Sequence, residues 1–346
     1  MRWAVILAGG VGSRFWPIST ATRPKQLLPL ASDAPLLLET VERLTPLIPA
    51  ERIFVVTSRA LAPALAAAAP ALPSGHVLAE PRPASTLPAL AWATATVAAR
   101  DPDASVLSLH ADWVVGDQAG FRAAADTALS IAERRDLVVT VGARPTRPET
   151  GFGYVVPGNK LGEGAFTIAT FVEKPDAARA AQLMEQGALW NTGLFAWTAR
   201  RFRAEIESHS SEVAAGLRAL DVGDGPTFYA ASKAVSVDVG LFERTKRGAV
   251  VPGDFGWDDV GSWAALLRVR HADLDGNVTV GQHVHVLDTD QSVVWSEEGT
   301  VVVYGLTGAV VVQGRGITLV TTADRAPALK RLLDHLPPDL AGERGA

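Results

Sequence analysis

No cysteine occurs in the 346 residues, which excludes disulfides, thiolate metal centres and cysteine nucleophiles. No stretch offers the ~18 uninterrupted apolar residues that a membrane-crossing helix requires. The chain enters a strand at once, with no basic region followed by a long apolar run. The expectation is a cytoplasmic protein with no membrane contact. An excess of positive charge is lacking too: the formal net charge is -5, so no general attraction to nucleic acid or anionic lipid is expected. Basic residues are therefore to be sought as local clusters at a ligand. What the chain does have is apolar residues, 48% of the total, enough for one large domain and a smaller one.

Over roughly the first 140 residues, short β-branched runs (5–7, 53–57, 77–79, 106–109, 137–141) alternate with Ala/Leu-rich helical patterns (36–47, 60–69, 87–99, 120–132). That alternation reads as βαβ units. The predicted class is α/β: a Rossmann-like mixed, mostly parallel sheet flanked by helices, followed by a small β-rich, β-solenoid-like domain. Residues 1–265 are assigned to the first domain. Residues 277–346 form the second, where strands at 278–280, 283–286, 292–295, 300–303, 309–312 and 317–320 precede a helix near 326–335. Ligands of such sheets sit beyond the carboxyl ends of the strands. The turn after Leu7, the Glu80-Pro81 pair and His110-Ala111-Asp112 all fall at that edge.

The most informative segment is Val5-Ile6-Leu7-Ala8-Gly9-Gly10-Val11-Gly12-Ser13-Arg14-Phe15-Trp16-Pro17, followed by Arg23-Pro24-Lys25-Gln26-Leu27-Leu28-Pro29. A strand leads into a glycine turn whose amides can approach a phosphate. Arg14 adds a forked cation and Lys25 a point charge. The turn lacks the Gly-Lys-Ser/Thr ending of a P-loop, and Phe15 stands where a dinucleotide fingerprint needs its third glycine. Further along, Phe171-Val172-Glu173-Lys174-Pro175, Trp190-Asn191-Thr192-Gly193-Leu194-Phe195 and Gly151-Phe152-Gly153-Tyr154 place charge, amide and glycine together. Each read alone also fits an ordinary strand end or turn. Asn191 offers both donor and acceptor to a hydroxyl. Asp112, and Asp259 within Trp257-Asp258-Asp259-Val260-Gly261-Ser262-Trp263, are candidate carboxylates for a hard divalent ion; the alternative for each is a helix cap.

These motifs together resemble the sugar-nucleotidyltransferases, and in particular the mannose-1-phosphate guanylyltransferase branch, over residues 5 to 263. The resemblance implies transfer of GMP from GTP to α-D-mannose 1-phosphate, giving GDP-mannose and pyrophosphate, with Mg²⁺ as cofactor. It implies Arg14, Lys25, Lys174 and Asp112 as catalytic residues. Leu7, Ala8, Gly9, Gly10, Gly12, Ser13, Arg14, Lys25, Glu80 and Thr86 would bind the nucleotide. Gly153, Glu173, Lys174 and Asn191 would bind the sugar phosphate, and Asp112 and Asp259 the metal. Ser85 departs from the branch, which typically has asparagine there. Two other readings share the fold: a uridylyl- or thymidylyltransferase acting on glucose 1-phosphate, and a noncatalytic sugar-nucleotide sensor.

Glu80 is expected to read guanine, whose N1–H and N2–H₂ donors lie side by side for one carboxylate to accept. In the tail, His283 and His285 share one strand face. The valine runs 301–303 and 310–312 are apolar on both faces, which implies cover on both sides. The tail is therefore expected to carry the contact of a homodimer.

Overall fold

The computed structural model describes residues 1–10 and 12–341, so the last five residues expected in the β-rich domain lie outside the described residues. The chain divides into two compact units. One comprises Met1–Gly9, Val41–Ala111 and Val115–Trp257; the other comprises Gly10–Thr40, Asp112–Val114 and Asp258–Ala346. Residues 10–40 thus share a unit with the β-rich tail. Among the described residues, no helix is long and apolar enough to cross a membrane.

The first unit is built on a nine-stranded sheet. Its strands are β1 (Arg2–Leu7), β2 (Ile53–Ser58), β3 (Val77–Glu80), β4 (Ser105–His110), β5 (Val138–Ala143), β6 (Tyr154–Gly162), β7 (Ala165–Val172), β8 (Leu189–Thr198) and β9 (Gly248–Pro252). The spatial order is β3-β2-β1-β4-β8-β5-β9-β7-β6. β1 pairs in parallel with β2 and β4, β2 with β3, and β5 with β9. Only β7 and β8 run the other way. Buried from Trp3 to Leu7 without alternation, β1 has the unbroken apolar texture of a strand covered on both faces.

Helices α1 (Leu36–Leu44), α2 (Ala62–Ala68), α3 (Thr86–Arg100) and α4 (Gln118–Arg135) fall where the sequence patterns put them. α5 (Ala177–Glu185) and α6 (Ala199–His209) precede and follow β8. The main core packs α3 and α6 against the sheet through Leu87, Leu90, Val97, Phe195, Trp197 and Phe202. The hairpin β6–β7 is flanked by Gly153 at its start and by Glu173 and Lys174 at its end. Tyr154 pairs with Val172 across it, and β6 also pairs with the start of β8 at Trp190. That double pairing draws the residues flanking Tyr154 and Val172 toward Asn191.

In the second unit the tail forms a four-stranded and a two-stranded sheet. Its strands are β10 (Val278–Val280), β11 (Val284–Leu287), β12 (Val293–Ser296), β13 (Val301–Tyr304), β14 (Ala309–Gly314) and β15 (Ile317–Thr322). Val278 lies opposite Val293 and Val293 opposite Val310, while Val284 lies opposite Val301 in the second sheet, all in parallel. Parallel neighbours at such short sequence steps are the mark of a solenoid coil. An antiparallel hairpin, β14–β15, ends it. Inside this unit, Trp295, Val310 and Val312 join Phe15, Trp16, Ile18 and Trp263 in one core. The structure divides the two valine runs. β14 is covered on both faces, but Val302 of β13 is 69% exposed, so the described residues do not cover β13 on both sides. His283 and His285 are both exposed.

Trp197 is fully buried, stacks on Phe202 with ring centroids 3.9 Å apart, and donates to Thr94 Oγ1 at 3.3 Å. Trp197→Ala should lower the unfolding free energy by about 3–5 kcal/mol, measured by urea denaturation. A loss under about 1 kcal/mol would show that α6 does not depend on this stack.

Candidate functional site

Two groups of polar residues stand out, one in each unit. The first is organised by a lysine. Lys25 is only 6% exposed, and a buried ammonium must be paired. Its Nζ donates to Asp112 Oδ2 at 3.0 Å and to the Asp259 carbonyl at 2.6 Å, and it lies 5.9 Å from the centre of the Phe15 ring. Gly12, in the left-handed region at φ 72°, lies directly on this side chain. A Cβ built there would collide with Lys25 Cβ, so this position needs glycine both for its backbone and for the contact. At Gly10, by contrast, an added Cβ would meet nothing within 4 Å. Ser13 and Arg14 follow in a short 3-10 turn and are exposed.

Burial pushes the Asp259 carboxyl above its ordinary range, and the charges of Asp258 and Asp112 add to this, while Lys25 and Arg14 oppose it. A Cβ on Gly261 would stand 2.9 Å from Asp259 Oδ2 and 3.3 Å from Arg14 Nη1. Arg14, Lys25, Asp112 and Asp259 are therefore neighbours, as the sequence pattern expected. The structure also separates the adjacent aspartates. Asp258 is held by Arg268 through a two-pronged pair at 2.6 and 3.0 Å and accepts from the Val260 amide, which makes it a loop clamp.

Among the described residues, no three His, Asp or Glu groups stand ready to hold a metal by themselves. A Mg²⁺ site completed by phosphate oxygens needs only one or two carboxylates. Asp112 and Asp259, the charge of the first making the second harder to ionise, fit such an ion.

The second group lies in the sheet unit. Gly153 is buried, and a Cβ there would sit 2.6 Å from Glu173 Oε2 and 3.3 Å from Asn191 Cβ. Its carbonyl accepts from the Asn191 amide at 2.8 Å. Lys174 pairs with Glu173 at 2.9 Å and occupies the left-handed region at φ 47°, which a lysine adopts only when its surroundings impose it. Gly153, Glu173, Lys174 and Asn191, all expected at one sugar phosphate, are indeed brought together. Asp238 joins them and was missed. Its carboxylate accepts from Asn191 Nδ2 at 2.8 Å. Burial raises its pKa to about 6, the Glu173 charge adding to the shift. The only local signal is an acid alternating with valines in Val235-Ser236-Val237-Asp238-Val239.

Glu80 closes β3 and accepts from Tyr229 Oη at 3.0 Å. Burial raises its pKa to about 6 against the effect of that hydrogen bond. Tyr229 was also missed, lying far away in sequence. Thr86 opens α3 and accepts from the Val237 amide at 2.9 Å, tying the helix to the Asp238 turn. Ser85, just before it, sits at φ 66° and ψ -174° with no capping bond, a region that otherwise belongs to glycine. Leu7 and Ala8 are buried, and their carbonyls already accept from Ala111 N at 2.9 Å and Thr57 Oγ1 at 2.7 Å. At Gly9, an added Cβ meets nothing within 4 Å.

The chain as a whole is similar to known proteins. The profile of the nucleotidyl transferase family matches residues 3–276. The alginate biosynthesis protein AlgA of Pseudomonas putida is 35% identical, the match spanning 97% of this chain and 72% of that protein. A mannose-1-phosphate guanylyltransferase of Salmonella muenchen is 32% identical over 96% of this chain and 72% of its own length. Among solved structures, a Thermus thermophilus protein described as a mannose-1-phosphate geranyltransferase superposes with a TM-score of 0.89 at 36% identity, covering 96% of this chain and 98% of that one.

Neutralising the two neighbouring aspartates should separate their roles. An acid whose folded pKa is raised destabilises the fold as pH rises through that pKa. Asp259→Asn should therefore leave stability at pH 7 unchanged or higher, with thermal unfolding as the readout. Asp258→Asn breaks the Arg268 pair and should lower it by about 1–2 kcal/mol. Equal destabilisation by both would contradict the assignment.

Proposed function

Because the chain belongs to the nucleotidyl transferase family, we propose that it transfers GMP from GTP to α-D-mannose 1-phosphate, forming GDP-mannose and releasing pyrophosphate. The relatives named mannose-1-phosphate guanylyltransferase support this choice of substrates. The observation that carries it is the buried Lys25, held between Asp112 and Asp259 beneath the glycine turn.

The nucleophile is an oxygen of the sugar phosphate, already an anion, so the reaction needs no general base. The difficulty is to bring two polyanions together, which calls for positioning and neutralisation of charge. Arg14 and Lys25 would hold the triphosphate, with the amides after Gly9 approaching its oxygens. Lys174 would hold the incoming phosphate, and Glu173 would accept from sugar hydroxyls. Asp112 and Asp259 would hold a Mg²⁺ ion, which when bound offsets charge at the α-phosphate. Glu80 would accept from the guanine edge, Tyr229 keeping one of its oxygens oriented.

A matrix of four nucleoside triphosphates against several sugar 1-phosphates, read as pyrophosphate release, tests the reading. GTP with mannose 1-phosphate should give the highest kcat/KM. Preference for UTP or dTTP with glucose 1-phosphate would overturn it, and no release with any pair would leave a sensor.

Lys174→Met should raise the KM for mannose 1-phosphate by roughly 10- to 150-fold, as expected for one charge-assisted hydrogen bond, with far less effect on GTP. Equal effects on both substrates would place Lys174 elsewhere. Only the ionised Glu80 accepts both guanine donors, and its pKa is raised to about 6. GTP affinity should therefore be complete above that pH and fall as pH drops through it. Glu80→Gln should flatten this profile and shift selectivity toward UTP. An unchanged GTP:UTP ratio would refute the role.

A further inference from the structure

Asn191 has less to offer a ligand than its side chain suggests. Its Oδ1 accepts from Thr140 Oγ1 at 2.8 Å and from the Gly193 amide at 3.3 Å. An amide N–H is only a donor, so the atom facing Gly193 is the oxygen and the carboxamide orientation follows. Both lone pairs of that oxygen are in use. Of the two Nδ2 hydrogens, one goes to Asp238 Oδ1 at 2.8 Å. One N–H donor remains, and the acceptor next to it is the Asp238 carboxylate.

That carboxylate is fixed by its scaffold. Asp238 opens a π-helical turn, Asp238–Phe242, a form that occurs mostly as single turns, often at functional sites. Thr86 Oγ1 accepts from the Val237 amide at 2.9 Å, and Leu87 N donates to the Val235 carbonyl at 3.1 Å. At the other end of the turn, Phe242 stacks on Phe195 and Phe171, with centroids 4.5 and 5.9 Å away. Phe195 lies on the strand that carries Asn191, and Phe171 on the strand that leads to Glu173. The same turn is thus anchored to both strands of the cluster.

The charges around Asp238 select the ligand chemistry. Glu173 faces it as a second carboxylate, with Lys174 the opposing cation. A phosphate would be repelled from this pair, whereas hydroxyl groups supply the proton donors it lacks. A donor N–H beside an acceptor oxygen matches a group that accepts and donates at once, which a sugar hydroxyl does.

We propose that Asp238 is a specificity-determining residue that contacts the sugar, gripping one hydroxyl of the sugar phosphate together with the remaining Asn191 N–H. The proposal rests on the sugar-phosphate reading of this cluster.

Crossing Asp238→Asn with a series of monodeoxy mannose 1-phosphates tests it, with GTP as co-substrate. Wild-type kcat/KM should fall roughly 10- to 100-fold for the one analogue that lacks the gripped hydroxyl. Asp238→Asn should lose a similar factor with mannose 1-phosphate but almost nothing further with that analogue, since both changes remove the same contact. The KM for GTP should stay within about twofold. Asp238→Ser serves if the asparagine variant does not fold, as judged by circular dichroism. A merely structural role would give the same loss with every analogue, and that result overturns the inference alone. A wild-type protein that turns over none of the sugar phosphates overturns the underlying reading, and the inference with it.

Discussion

The chemistry of the second unit depends on one constraint: an ammonium group cannot be buried without compensating charge or hydrogen bonds. Lys25 meets that demand with the Asp112 carboxylate and the Asp259 carbonyl. The lysine and its two partners come from three separated stretches of chain, 10–40, 112–114 and 258 onward, which the unit combines. Gly12 is glycine because its α-carbon packs on the Lys25 side chain. The glycine turn, its cation and the two carboxylates proposed to hold a metal are thereby placed together. Burial makes the Asp259 carboxyl harder to ionise than usual, and Lys25 only partly offsets that cost. A bound cation would relieve that cost, so the stability forgone in the ligand-free protein becomes affinity.

The sheet unit applies the same logic with different groups. The Glu173 charge adds to burial in making the Asp238 carboxyl harder to ionise, while Asn191 pairs with Asp238 and Lys174 with Glu173. Backbone strain marks these sites as well. Ser85, Lys174 and Val260, among other residues, have positive φ, and each belongs to a motif proposed to bind nucleotide, sugar phosphate or metal. Such conformations persist only where the surrounding structure imposes them, which agrees with sites built for geometry at the expense of stability.

Much of this was legible from local sequence. Apolar runs bounded by turn residues located the strands, because burial on both faces leaves few alternatives to such runs. The glycine turn and the Glu-Lys and Asp-Asp pairs were legible because their residue types are costly anywhere else. What stayed hidden was pairing across distance. Asp258 and Asp259 look alike in sequence, and only Arg268 distinguishes them. Asn191 appeared able to accept from a ligand until Thr140, on another strand, proved to use that capacity. Asp238 stayed hidden because nothing local to it names its partner, Asn191, which lies on a strand far away in sequence.

The groups gathered in both units are charge stabilisers and hydrogen-bonding partners, and the chain contains no cysteine nucleophile. In the proposed function the sugar phosphate displaces pyrophosphate directly, with no nucleotidyl-enzyme intermediate. The stereochemistry at the α-phosphorus tests this most directly, using GTP made chiral there by sulfur substitution. One in-line displacement predicts inversion of configuration in the GDP-mannose analogue formed. Retention would mean two successive displacements through a covalent intermediate and would contradict the account.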